Sequence, residues 1–331
     1  MFSQPIAFVI GAGASAEYGM PTGAALVRKI ASIVKFDATR HDNPELINPF
    51  LDRLDVYQPE GLKLSNFIQS GVPSIDDALT WFSSSLEIIE LGKAAIAHQI
   101  LTAENASKLS TGRFDLTSLT DLHETWLPHF LSMVMTGHKN EDAETAFNNV
   151  SIINFNYDRT IEHFLYAALQ VTFGLSESRA KNIVNRLNMF RPYGRVGPLR
   201  WQDGSGLAFG ELPAGTELLA ASKNILTFSE GVTEAVRQQI QLALERARAT
   251  IFLGFGFHLQ NMTVLRVRMG ESWRRAYATA KGIHRENYFD IKHLIARTVG
   301  CQHEDRPHLQ DWPAYQLLTD LRPALMAASA M

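Results

Sequence analysis

The sequence predicts an α/β protein: a Rossmann-like parallel sheet with helices on both faces and a large helical insertion. Three short apolar runs predict it, 6–10 (IAFVI), 150–155 (VSIINF) and 250–254 (TIFLG). Each is too brief for a helix, and each runs into a glycine-rich or polar turn with a helical pattern behind it. Strands covered on both faces read as continuous apolar stretches rather than alternating ones. Ligands of such sheets lie beyond the carboxyl ends of the strands, so the three turns are expected to converge on one crevice.

Taken in order, the strand at 6–10 is followed by a helix start at Ala14 to Tyr18, which Gly19 and Pro21 interrupt. Thr22 can cap a second helix over 23–35, where Leu26, Ile30 and Ile33 or Val34 recur at helical spacing. Residues 37–75 read as irregular, with prolines at 44, 49, 59 and 73. Ser74 or Asp76 can cap a run containing Leu79, Phe82, Leu86 and Ile89, and 93–109 and 116–136 continue the helical pattern. The stretch 40–149 is therefore expected to be a helical insertion within one domain spanning 1–331. After the strand at 150–155 come helices over 159–172 and 176–189, a loop over 190–201 and a short strand candidate at 225–228. The helix at 230–248 places Val232, Val236, Ile240 and Leu244 on one face. Beyond the strand at 250–254, RAYATA (275–280) reads as another strand, and 284–299 and 313–328 as closing helices.

The chain has 331 residues, 46% hydrophobic and 20% charged, a composition that supports a sizeable core without staples. Its one cysteine, Cys301, excludes an internal disulfide and a cysteine-rich zinc site. The formal net charge of −3, with both signs interspersed, argues against a large nucleic-acid footprint. The arginine pairs at 246–248 and 266–268 read as solvated helix faces. No apolar stretch approaches the roughly 18 residues that span a bilayer, and the N-terminus lacks a basic leader, so a cytoplasmic protein with no membrane partner is expected.

Gly11, Gly13 and Ala16 stand in the G-x-G-x-x-A spacing of a dinucleotide loop directly after a strand. In that reading Gly11 permits the turn, Gly13 lets the backbone approach a pyrophosphate, and amides at the helix start face the anion. The bland alternative is a glycine turn that only joins strand to helix. A dehydrogenase would place an acid about 20 residues on, at the end of a second strand. Asp37 has the distance, but Gly19-Met20-Pro21-Thr22 breaks the crossover helix and no clear strand precedes Asp37.

The sequence GAGAS-x3-G-x-PT, then Asn156-Tyr157-Asp158 after a strand, then Gly254-Phe255-Gly256-Phe257 at a strand end together resemble the SIR2-like family, the bacterial sirtuin-related NAD hydrolases. The resemblance touches 6–26, 150–166, 190–201 and 250–262. It implies NAD as substrate or ligand, with no metal. It implies that Gly11, Ala12, Gly13, Ala14 and Ser15 hold the phosphates and that Pro21 and Thr22 begin a cover loop. Asn156 would position the ribose and a water, Asp158 would lie near the nicotinamide carboxamide, and Gly254, Phe255 and Gly256 would lie against the adenosine side. It further implies hydrolysis of NAD to nicotinamide and ADP-ribose, used in bacterial antiviral defence and held off until oligomer assembly or a protein partner triggers it.

That chemistry suits the residue types. Cleaving the nicotinamide–ribose bond develops positive charge on the ribose while a cationic leaving group becomes neutral. An amide can both donate to and accept from a water or hydroxyl, and a fixed carboxylate stabilises the charge. Two departures stand out. Phe155 precedes Asn156 where many relatives have threonine, and Tyr193-Gly194 stands where relatives carry His-Gly with the histidine as base. A tyrosine of ordinary pKa, about 10, is a poor base near neutrality. A non-catalytic NAD or ADP-ribose sensor is accordingly the alternative. His163 and His258 read first as structural, with a substitute base as their other reading. Asp158 can equally be a helix cap, Trp81, Trp126 and Trp201 read as core or interface residues, and Cys301, His303, Glu304 and His308 match no zinc spacing.

Overall fold

The computed structural model describes residues 2–36, 43–110, 120–213, 215–267, 274–301 and 307–328. Its one sheet contains β1 (Ile6–Ile10), β2 (Val150–Asn154), β3 (Asn188–Phe190), β4 (Ala249–Leu253), β5 (Arg275–Thr279) and β6 (His308–Gln310). All neighbours pair parallel, in the order β3-β2-β1-β4-β5-β6. The winding reverses between β1 and β4, and a ligand crevice is expected outside the carboxyl ends there. Ile6 pairs with both Val150 and Ala249, and Ile10 with both Asn154 and Leu253, so the three central strands end level.

Between β1 and β2 the chain forms α1 (Ala12–Ala16), α2 (Gly23–Ile33), α3 (Pro44–Ile47), α4 (Leu54–Gln69), α5 (Ile75–Trp81), α6 (Leu86–Ala106) and α7 (Trp126–Met135). Then come α8 (Thr160–Val171) and α9 (Glu177–Asn185) before β3, and α10 (Thr216–Ser222) and α11 (Glu234–Arg246) before β4. Helix α12 (Leu259–Leu265) precedes β5, α13 (Tyr288–Val299) precedes β6, and α14 (Ala314–Asp320) and α15 (Arg322–Ala328) close the chain.

The period of a strand distributes β1 between two cores. Ala7 and Val9 join the layer that includes α2, α4, α5, α6 and α10 to α13, whereas Ile6, Phe8 and Ile10 join the layer of α7, α8, α9, α14 and α15. Trp126, 1% exposed, anchors the second layer against Phe130.

Several local expectations need correction. Residues 54–69 are helical although Pro59 lies inside them, because Tyr57, Leu64 and Ile68 bury a face of α4 against the core. Ser85 caps a new helix, so the expected run from Leu79 to Ile89 is two helices, α5 and α6. The helix expected to reach 189 ends at Asn185, and 188–190 pairs with β2 as an edge strand. No strand forms over 225–228. Ile225 makes a lone bridge with Gly194, and Phe228–Glu230 is a 3-10 turn closed by Thr227 and Glu230. His308 belongs to β6 rather than to a loop. Trp81 is 71% exposed and stacks on Phe67, which removes it from the core. Asp37, His303 and Glu304 lie outside the described residues.

Candidate functional site

The first and third strand-end turns interlock. The Gly11 amide donates to the Leu253 carbonyl (3.0 Å), Gly13 to Gly254 (2.9 Å) and Ala14 to Gly11 (3.0 Å). A Cβ on Gly11 would stand 2.6 Å from the Gly254 carbonyl oxygen, and one on Gly13 would stand 2.8 Å from the Gly254 Cα. Gly254 itself has a φ of +59°, and a Cβ there would overlap the Ala14 nitrogen and Gly13. The glycines thus serve the packing of one turn on the other. Protein carbonyls already receive the amides of Gly11, Gly13 and Ala14, so those three are engaged within the fold.

The second turn is tied to the first. Phe155 extends the ladder by donating to the Ile10 carbonyl (3.0 Å), and the Asn154 side chain accepts the Asn156 amide (3.0 Å). The Asn156 Nδ2 then donates to the Gly11 carbonyl (3.0 Å) and to the Ser15 hydroxyl (2.9 Å). A carbonyl only accepts, so this contact fixes which way the amide points. Asp158 accepts the Thr160 amide (3.1 Å) in a turn that leads into α8, whose N-cap is Arg159 rather than the expected Asp158. Behind the turn, the Arg191 guanidinium donates to the carbonyls of Asn156 (2.8 Å) and Asp158 (3.2 Å) and to both oxygens of Glu162. Arg195 adds a bond to the same carboxylate (2.6 Å). Burial pushes the Glu162 carboxyl up, but the two arginines outweigh it and hold it below the ordinary carboxylate range.

A cleft of about 970 Å³ opens over these turns at the β1–β4 reversal. Of the residues singled out in the sequence, Gly11, Ala12, Gly13, Pro21, Thr22, Asn156, Asp158, Tyr193, Gly254, Phe255 and Gly256 line it. Ala14 and Ser15 do not: both are buried behind the wall, where Ser15 receives the Asn156 amide. Thr22 caps α2 by accepting the Ala25 amide (3.4 Å), which sets the rim.

Tyr193 donates its hydroxyl to the Asn261 side-chain oxygen (2.7 Å). Burial, with Asp76 and Asp77 nearby, pushes the phenol well above its ordinary range, so it holds its proton. His163 is removed from the site altogether. It stacks on Phe209 at 4.1 Å and faces the Leu109 carbonyl, and burial lowers it to about 4. His258 is exposed on the cleft rim, at the start of α12.

Three further carboxyl groups line the cleft, Glu17, Asp76 and Asp77, of which the sequence marks only Asp76, and that as a possible helix cap. Burial raises Asp76 to about 6 even though the Tyr157 hydroxyl donates to it (2.9 Å), and Asp77 adds to the rise. Burial raises Glu17 to about 7 against backbone donors led by Tyr315, whose amide lies 3.1 Å away. The sequence offers Asp76 as an alternative cap to Ser74, but Ser74 is the cap, which leaves the Asp76 carboxyl in the first turn of α5 and in the cleft lining. Nothing local marked Glu17, because the backbone groups that surround it come from Trp126, Ala314 and Tyr315, far along the chain.

No protein-family model matches the chain, and no curated protein matches it. Among the described residues, no helix is long and apolar enough to cross a membrane, and no group of three or more His, Cys, Asp or Glu is placed to hold a metal ion.

Proposed function

We propose that the cleft binds NAD and that the chain hydrolyses its nicotinamide–ribose bond, releasing nicotinamide and ADP-ribose. The observation that carries this reading is the Asn156 side chain, bonded to the glycine loop through the Gly11 carbonyl while lining the cleft at the sheet reversal. A cleft of about 970 Å³ is at the upper end of the roughly 300–1,000 Å³ range of ligand pockets, which suits a dinucleotide better than a fragment. With the amides of the glycine loop largely engaged, phosphate binding falls to the Ala12 region and to the rim that carries Thr22 and Lys281. In this reading Asn156, in the lining, orients the ribose and the attacking water, and Asp158, also in the lining, supplies a carboxylate for the cationic half of the substrate. The buried Arg191–Glu162 pair keeps both from drifting.

Tyr193 favours a second reading. A phenol locked to Asn261, in the position where relatives carry a basic histidine, fits a sensor that binds NAD or ADP-ribose without turnover. A part in antiviral defence, and a trigger by self-assembly or a partner protein, rest on the sequence resemblance alone.

Incubating the purified chain with NAD and following nicotinamide by chromatography separates these readings. Hydrolysis predicts nicotinamide release that Asn156→Ala lowers by roughly 100-fold or more, the usual cost of a preorganised polar group in an active site. NAD binding in calorimetry without release from the wild-type chain would establish the sensor instead, and NADH formation would mean redox chemistry.

A further inference from the structure

Resting on the hydrolase reading above, we infer that Asp76 is the general base of the reaction, the group that receives the proton of the attacking water. Asp76 lies in the first turn of α5, a helix of the long β1–β2 connection, and lines the cleft. The Tyr157 hydroxyl donates to its Oδ1 at 2.9 Å. Tyr157 is the central residue of the Asn156-Tyr157-Asp158 turn, so one hydrogen bond fixes the carboxyl to the turn that carries the proposed active-site pair.

The neighbouring groups are each otherwise engaged. Asp77 accepts the Ser74 hydroxyl (2.6 Å) and the Gln260 amide (3.2 Å), which makes it the peg joining α5 to α12. Asp158 accepts the Thr160 amide. Tyr193 donates its proton to Asn261. Burial that raises Asp76 to about 6 places it in the range where a carboxylate is ionised yet basic enough to work near neutrality.

The step balances without a cofactor or metal. Water oxygen bonds to the ribose C1′ as the C1′–N bond breaks. The bonding pair goes to the pyridinium nitrogen, which leaves as neutral nicotinamide. The water proton passes to the Asp76 carboxylate and then to solvent.

The test measures steady-state NAD hydrolysis and NAD affinity for the wild-type chain, Asp76→Asn and Asp76→Ala. Asparagine is nearly isosteric and still accepts from Tyr157, so the fold and the NAD Kd should hold within about threefold. Its kcat should fall about 100- to 10,000-fold, the range for loss of a general base. Added formate should restore part of the Asp76→Ala rate and none of the Asp76→Asn rate, which a purely structural role would not produce. An Asp76→Asn enzyme that keeps its kcat overturns the inference while leaving the hydrolase reading intact. Loss of NAD binding in step with the rate makes Asp76 a binding residue and also overturns it. A wild-type chain that releases no nicotinamide overturns both together.

Discussion

Gly254 carries the tightest constraint at the site. Its φ of +59° is left-handed, and a side chain there would drive into the backbone of Gly13 and Ala14. Neither backbone can move without pulling Gly11 and Gly13 off the carbonyls of Leu253 and Gly254. Gly254→Ala should therefore destabilise the chain by on the order of 3 kcal/mol, at the high end for a point change, and blunt the proposed NAD binding in proportion. Chemical denaturation reads the first effect and calorimetry the second; an alanine variant of wild-type stability would show that the two turns are not interlocked. The spacing of Gly11 and Gly13 was legible in the sequence, but its reason was not. The same spacing serves a phosphate or a neighbouring strand-end turn, and only the position of β4 beside β1 reveals the second.

Glu104 and Arg159 join two elements that lie far apart in the chain. Glu104 near the end of α6 accepts the Arg159 amide (2.9 Å) and its guanidinium, and both side chains are fully buried. Arg159 also reaches the carbonyls of Leu207 (2.8 Å) and Ala208 (3.2 Å), so the pair locks the α6 end and the 207–208 loop to the residue after Asp158. Removing one partner strands a buried charge, and Glu104→Gln should cost about 3–5 kcal/mol, read from urea unfolding. Because the lock sits next to Asp158, the proposed nicotinamide release should fall with it, and an unchanged midpoint would refute the coupling. Neither residue was visible as a partner in the sequence, since ion pairs across 55 positions follow no periodicity. Edge strands β3 and β6 were missed for a related reason. Three residues such as Asn188-Met189-Phe190 carry no alternation to read, and pairing with β2 makes them a strand.

Across the whole molecule, the buried titratable groups set opposing responses to pH. Glu17 and Asp76, raised to about 7 and about 6, favour the folded state when protonated, so their contribution is present in acid and lost as pH rises through those values. His163, lowered to about 4, is folded as the neutral ring, so its contribution is present above its ordinary pKa of 6.5 and lost as pH falls towards 4. Glu17→Gln should match the wild type near pH 4 and exceed it by roughly 3 kcal/mol at pH 8, because the variant has no carboxylate to desolvate. Thermal melts at the two pH values check the sign; equal gains at both would show that the effect is packing rather than ionisation.

The sequence by itself determined the α/β class, the three central strands and the turn residues at their ends, because continuous apolar runs followed by Gly11, Asn156 and Gly254 are local patterns with local causes. It also marked Thr22 as the cap that restarts the chain after Gly19. Only the tertiary structure decided that Ser15 lies behind the cleft wall, that Tyr193 keeps its proton, that His163 is a core ring, and that Asp76 and Glu17 face the cleft as desolvated acids. Burial, and the partners that compensate it, come from residues distant in the chain. A side chain's charge state and role follow from those neighbours, which no window of sequence contains.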